Sequence, residues 1–290
     1  MKRYMTLSLI LSIATASIAQ AESKAESSPG ENLGWKLAVQ AYTFNRFTFF
    51  EAVDKAKSIG LNHIEGFAWQ KVSPDHGDAK LNHDASAAVM SDVQKKLKDA
   101  NVKLIAYYVS KWGDESNARK IFTFAKEMGI EVLVSEPAAD ELPMLDKLTQ
   151  EFEIKLAIHN HPKHPDKDDY TYWQPEGVLA AIKPYGKYIG CCADTGHWIR
   201  SGLDPVESLK KYKGRLFSLH LKDVNEKARS GHDFPFGTGV GRIGEMLAEL
   251  KLQKFKGVIT IEYEHKMEDN ASDVRRCVRY FNSVVGHLAE

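Results

Sequence analysis

Short β-rich runs alternate with longer segments of helical period eight times along the 290 residues, and this alternation constrains the fold more than any other feature. The β-rich runs fall at 37–42, 63–67, 103–109, 131–135, 155–159, 188–193, 216–221 and 258–263. Apolar residues recur at helical spacing over 49–59, 85–100, 115–128, 142–152, 175–182, 205–212, 243–250 and 273–288. Several junctions share one grammar: Ser58-Ile59-Gly60-Leu61, Asp99-Ala100-Asn101-Val102 and Glu127-Met128-Gly129-Ile130. In each, Gly or Asn takes the left-handed position that ends a helix, and an apolar residue follows under the sheet. Strict alternation makes a parallel sheet, and eight units within 35–290 favour a closed (β/α)8 TIM barrel over an open, doubly wound sheet. No Gly-x-Gly-x-x-Gly follows the first strand, which weakens the dinucleotide-binding alternative further.

Ahead of this pattern, Met1-Lys2-Arg3 leads into an apolar stretch from Met5 to about Ile18, then Ala19-Gln20-Ala21 before Glu22. That is the pattern of a signal peptide over 1–21 with a small-residue cleavage site. The stretch is short of the roughly 20 apolar residues that a membrane crossing needs. Residues 22–34 read as a flexible leader and 35–290 as a single barrel domain, since no Pro/Gly/Ser linker divides it. The chain is therefore expected to be exported, periplasmic or secreted, with no membrane contact after cleavage. Basic and acidic residues balance at 39 each, so nucleic acid is not expected as a partner. The three cysteines, Cys191, Cys192 and Cys277, offer no disulfide framework, and the adjacent pair reads as packing residues facing opposite ways. A homo-oligomer is left open.

A barrel of this kind works at the carboxyl ends of its strands. Polar residues crowd there. Strand four ends in Ser135-Glu136-Pro137, strand five in His159-Asn160-His161, and strand six in Asp194-Thr195-Gly196-His197-Trp198. Strand seven ends in His220-Leu221-Lys222-Asp223 and strand eight in Glu262-Tyr263-Glu264-His265. Groups at one height on adjoining strands, about 4.8 Å apart, can share one ion. Asp194, His220 and Glu262 are the metal ligands this reading selects, with Glu136 preferred over His159 as the fourth. Mixed nitrogen and oxygen ligands suit one divalent ion, manganese first, with zinc, cobalt, iron or magnesium as alternatives. Any one of these residues alone is as well explained as a loop hydrogen bonder; five successive strand ends are not.

These residues resemble the xylose-isomerase-like barrel superfamily of sugar phosphate isomerases and epimerases, over essentially the whole mature chain. The resemblance rests on Asp194-Thr195-Gly196-His197, His220-Leu221-Lys222-Asp223 and Ile261-Glu262. It implies that Asp194, His220 and Glu262 bind metal and that His197 contacts substrate beside it. Many isomerases and epimerases of this fold carry Glu where this chain has His159. A Glu on strand four with His-x-His on strand five is similar instead to inosose dehydratases, and the fold also resembles lyases of 3-keto-glycosides.

The expected chemistry is proton abstraction next to a carbonyl of a non-phosphorylated keto-sugar or cyclitol, giving an isomerase or epimerase. The alternative is a lyase or dehydratase that expels an aglycone or water. His159, His161 and His197 are the candidate bases, since a placed imidazole contributes roughly 10²- to 10⁴-fold near neutral pH. Lys222 is taken as a further catalytic residue. Lys222 and Arg242 are the only evident phosphate-clamp residues, so phosphorylated substrates are discounted. For a carbohydrate, Trp112, Trp173, Trp198 and Phe236 are candidate stacking residues, with Tyr42 and Glu65 lining the far side. The segment from Pro235 to Gly239 reads as a lid. Two other classes are weighed: an AP-endonuclease-like hydrolase, which would need further histidines on strands two and three, and a sugar-binding barrel without metal.

Overall fold

A computed structural model describes residues 29–290, so the signal-peptide reading and residues 22–28 of the leader lie outside the described residues. In chain order the elements are α1 (Pro29–Asn32), β1 (Trp35–Gln40), α2 (Phe49–Ser58), β2 (His63–Phe67), α3 (Ala87–Ala100), β3 (Lys103–Val109), α4 (Glu115–Met128) and β4 (Val132–Ser135). There follow α5 (Leu142–Phe152), β5 (Lys155–Ile158), α6 (Pro175–Ile182), β6 (Ile189–Asp194), α7 (Thr195–Arg200), α8 (Pro205–Lys211) and β7 (Leu216–Leu221). Last come a short hairpin of β8 (Asp223–Val224) and β9 (Asp233–Phe234), then α9 (Ile243–Leu252), β10 (Gly257–Ile261) and α10 (Ala271–Ala289). Eight parallel strands close in the order β1-β10-β7-β6-β5-β4-β3-β2. The barrel expected from the alternation is the fold observed.

Local chemistry explains the boundaries. Thr48 and Glu51 form a reciprocal capping box at α2, and Ser86 and Asp114 cap α3 and α4. The helix stops expected at Gly60, Asn101 and Gly129 all have positive φ, at 87°, 53° and 71°. Small and branched residues fill the barrel's interior, among them Ala38, Ala106, Val134, Ala157, Cys192 and Val258, while Cys191 belongs to the outer layer under the helices. The two cysteines thus face opposite ways. Residues 29–34 depart from the flexible-leader reading: α1 packs on α10, with Gly30 buried against Phe281. No described helix is long and apolar enough to cross a membrane.

The segment after β7 is fastened down rather than hinged. The Asp223 carboxylate accepts hydrogen bonds from the backbone N–H groups of Val224, Gly237, Gly239 and Gly241 at 2.7–3.0 Å. A Cβ on Gly239 would stand 2.4 Å from Asp223 Oδ1, so only glycine allows this approach. The lid reading is corrected accordingly: the glycine amides are already occupied by a side chain of the same chain.

Candidate metal centre

The register sets the site. Asp194 pairs with His220 across β6 and β7, and His220 with Thr260 across β7 and β10. Glu262, two residues beyond Thr260, returns to the same face of the sheet. His159 directly follows β5 and is locked at that height by its neighbour, for Asn160 exchanges hydrogen bonds with the Asp194 backbone at 2.9 and 3.1 Å. Asp194 also caps α7: its Oδ1 accepts from the His197 N–H at 2.8 Å, which leaves Oδ2 turned to the pocket. Gly196 lets this turn approach β7, since a Cβ there would lie 2.7 Å from Lys222 Cβ.

His159, Asp194, His220 and Glu262, all buried, each offer a ligand atom within 4.8 Å of the others. Opposite ligands of one ion with bonds of about 2.1 Å stand about 4.2 Å apart, so the spread is close to what one ion spans. The decisive detail is which atoms face one another. His159 Nε2, Asp194 Oδ2 and His220 Nδ1 are buried without a well-formed hydrogen bond; what neighbours them is the cluster itself, with Glu262 Oε2 3.1 Å from His220 Nδ1 and the Lys222 ammonium 3.1 Å from Asp194 Oδ2, a convergence of ligand atoms that one cation would satisfy.

Both imidazoles are oriented by carboxylates on their far sides. His159 Nδ1–H donates to Glu136 at 2.8 Å, and His220 Nε2–H donates to Glu65 at 2.8 Å. Each leaves its other nitrogen as a lone-pair donor to the cluster. The preference for Glu136 as the fourth ligand is therefore corrected: it reaches the back of His159, and also accepts from His161 Nδ1 and, at 2.9 Å, from Tyr170. Burial would raise the Glu136 carboxyl, but hydrogen bonds from His159 and His161 hold it down to about 2. Glu65 does not line the pocket either. It is fully buried and also accepts from Thr260 and Gln40.

Lys222 is buried with Nζ 3.1 Å from Asp194, 2.7 Å from Glu262 and 2.5 Å from Glu264. Burial alone would raise the carboxyls of Asp194 and Glu262, yet the surrounding cations hold both well below the usual range. His197 is different. Burial, opposed by Asp194 but reinforced by Lys222, keeps its imidazole well below its ordinary value, hence neutral. Arg200 Nη1 donates to its Nδ1 at 3.4 Å, which puts the remaining proton on Nε2, 3.5 Å from Asp194 Oδ2. His161 remains as the imidazole that is half exposed in the pocket with a carboxylate behind it.

The aromatic predictions divide. Tyr42 lines the pocket. Trp112 is buried, stacked on Phe122 and bonded to Ser135; Trp198 is buried against Tyr212; Phe236 is buried over Cys277. These three are core residues, their rings packed between helices and barrel rather than in the pocket. Trp173 sits half-buried under Lys163 and does not line the pocket. The pocket wall is instead Phe67, Trp69 and Tyr108. Period-two parity signals the first two, since Glu65, Phe67 and Trp69 alternate out of β2. Among the described residues, no metal-binding group draws on β2 or β3, as the AP-endonuclease-like reading would require.

Residues 53–282 match the family model described as xylose isomerase-like TIM barrel. The chain belongs to this family. A crystal structure of a protein from Parabacteroides distasonis is similar at 30% identity and a TM-score of 0.69, covering 86% of this chain and 99% of that one. A structure of the IOLI protein with a bound zinc atom is similar at 18% identity and a TM-score of 0.68, over 87% and 98% of the two chains; this likeness concerns the fold. Among curated relatives, inosose dehydratase 2 of Bacillus cereus is 29% identical over 44% of this chain and 47% of its own length. Inosose dehydratase of Clostridium tetani is 33% identical over 30% and 28%. The chain thus spans less than half the length of these curated relatives. In this member of the family, the buried His/Asp/Glu group fits a divalent metal, in keeping with an enzyme family that processes sugars.

Proposed function

We propose that the barrel mouth is a metal-assisted proton-transfer site acting next to the carbonyl of a non-phosphorylated keto-sugar or cyclitol, and that the reaction proceeds to elimination. The observation that carries this reading is the convergence of His159 Nε2, Asp194 Oδ2, His220 Nδ1 and a Glu262 oxygen as buried ligand atoms within 4.8 Å of one another. A divalent cation held there, manganese by preference for two imidazoles and two carboxylates, would supply Lewis-acid polarisation of the carbonyl and its neighbouring hydroxyl.

The chain's own residues handle the proton. His161 lines the pocket with Nδ1–H engaged by Glu136, so Nε2 is its basic atom. It takes the proton from the carbon next to the carbonyl, and Glu136 steadies the imidazolium that results. The C–H electrons form the new double bond, the neighbouring C–O bond breaks, and His161 returns the proton to the departing oxygen. His197, held neutral, donates from Nε2 to a substrate oxygen.

Elimination is favoured over simple transfer of the carbonyl by His159 standing where many isomerases of the fold carry Glu, and by the relatives named inosose dehydratase. A phosphate is disfavoured because the pocket lining contains no Arg or Lys, and Arg242 is occupied by Asp204 and Glu245. The export pattern of residues 1–21 supports a periplasmic or secreted enzyme, where glycosides are met more readily than sugar phosphates.

The test is incubation of the manganese-loaded protein in D2O with keto-glycosides, free ketoses and inososes, followed by NMR. Loss of an aglycone or water with a new alkene signal is expected. Deuterium next to the carbonyl of an intact skeleton would make the enzyme an isomerase or epimerase. Neither change in any substrate would remove the proton-transfer reading.

A further inference from the structure

A second cavity adjoins the pocket above the metal cluster. The first is about 200 Å3, the second about 460 Å3, and they share Tyr42, Phe67 and Trp69 as a common wall. A ladder of rings leads outward from the cluster. His159 meets Tyr108 edge-on at 5.6 Å, Tyr108 meets Trp69 edge-on at 6.1 Å, and Trp69 lies against Phe67 at 4.7 Å. The first cavity alone is below the roughly 300–1,000 Å3 of pockets that enclose drug-sized ligands, and suits a single ring.

Two observations say what the second cavity takes. Trp69 is 42% exposed, one of two exposed large apolar side chains among the described residues, and it stands at the junction of the cavities. An indole left in water at the rim of a polar site offers a face on which the apolar side of a sugar ring stacks. Beside it, the polar side chains of Asn45, Thr48 and Gln70 line the second cavity together with the ring of Trp69. Polar groups beside an aromatic platform suit a ligand with hydroxyls on its edge and an apolar face.

We infer that the second cavity is a subsite for a second hydroxylated ring, so that the protein acts on two-ring glycosides. One ring sits at the metal cluster, and its partner lies on Trp69 beside the polar lining of Asn45, Thr48 and Gln70. This rests on the reading of the first pocket as a sugar site, but is tested separately from the reaction.

The first arm measures binding, by isothermal titration calorimetry, of unoxidised disaccharides and of the corresponding monosaccharides to the metal-loaded protein. The second compares kcat/KM for a keto-disaccharide and the matching one-ring methyl keto-glycoside. The wild type should prefer two rings in both arms, and Trp69→Ala should cut that preference about two- to tenfold. Trp69→Phe should restore part of it. Trp69-dependent preference in binding with no turnover would uphold the subsite and sink the reaction. Equal binding of one- and two-ring sugars, or a preference unmoved in Trp69→Ala, would overturn the subsite whatever the turnover.

Discussion

Replacing Glu136 with Gln separates two roles that a strand-end carboxylate can play. In the structure Glu136 accepts from His159, His161 and Tyr170 and contributes no atom to the four-residue cluster. Glu136→Gln keeps the shape and removes the charge, so the His159 bond weakens from a charge-assisted one of about 1.5–3 kcal/mol to a neutral one of about 0.5–1.5 kcal/mol. The difference, about 1–2 kcal/mol, corresponds to metal binding weakened about 5- to 30-fold. Loss of an outer partner of a ligating histidine typically costs about 10- to 100-fold, which agrees. His159→Ala removes a ligand outright and should exceed that range. Competition with a fluorescent chelator measures both. Metal lost from Glu136→Gln but retained by His159→Ala would refute the reasoning and make Glu136 the ligand.

Other outcomes follow from the same geometry. His161→Ala should keep its metal and lose about 10²- to 10⁴-fold in kcat, measured by steady-state kinetics on the metal-loaded variant; unchanged kcat would exclude His161 as the base. Without metal, burial would lower the His159 and His220 imidazoles, but Asp194 and Glu136 around the first, and Glu65 and Glu262 around the second, hold both above their ordinary value. Ligation must displace those protons, so metal affinity should climb as pH rises through neutrality, while the metal-free fold loses the stability gained from raised imidazoles. A flat affinity between pH 6 and 8 (about that range, set by the imidazole pKa) would contradict this. Trp112→Ala, a core truncation, should cost about 3–5 kcal/mol in denaturant unfolding and leave the preference between sugars intact.

Much of this was legible in the chain. The eight strands and eight of the helices announce themselves by period and by Gly or Asn stops, and Asp194, His220 and Glu262 by their height at the ends of consecutive strands. Helix α7 escaped because its six residues follow directly on the last residue of β6, Asp194, whose cap role is hidden behind its pocket-facing oxygen. The two-residue strands of the hairpin carry no period at all. Sequence also gives height without direction. It places Glu136 and His159 side by side, but only the three-dimensional arrangement shows that one imidazole nitrogen faces the carboxylate and the other the cluster. The same blindness promoted Trp112, Trp198 and Phe236 to the pocket and passed over Trp69, whose alternation with Glu65 and Phe67 carried the signal.

His159, Asp194, His220 and Glu262 are proposed to hold one divalent ion between them. Diffraction from crystals of the manganese-loaded protein at the manganese absorption edge tests it most directly. One anomalous peak is expected at bonding distance, about 2.0–2.3 Å, from His159 Nε2, Asp194 Oδ2, His220 Nδ1 and a Glu262 oxygen. A peak between Glu136 and His161 instead, or none in this cluster, would contradict it.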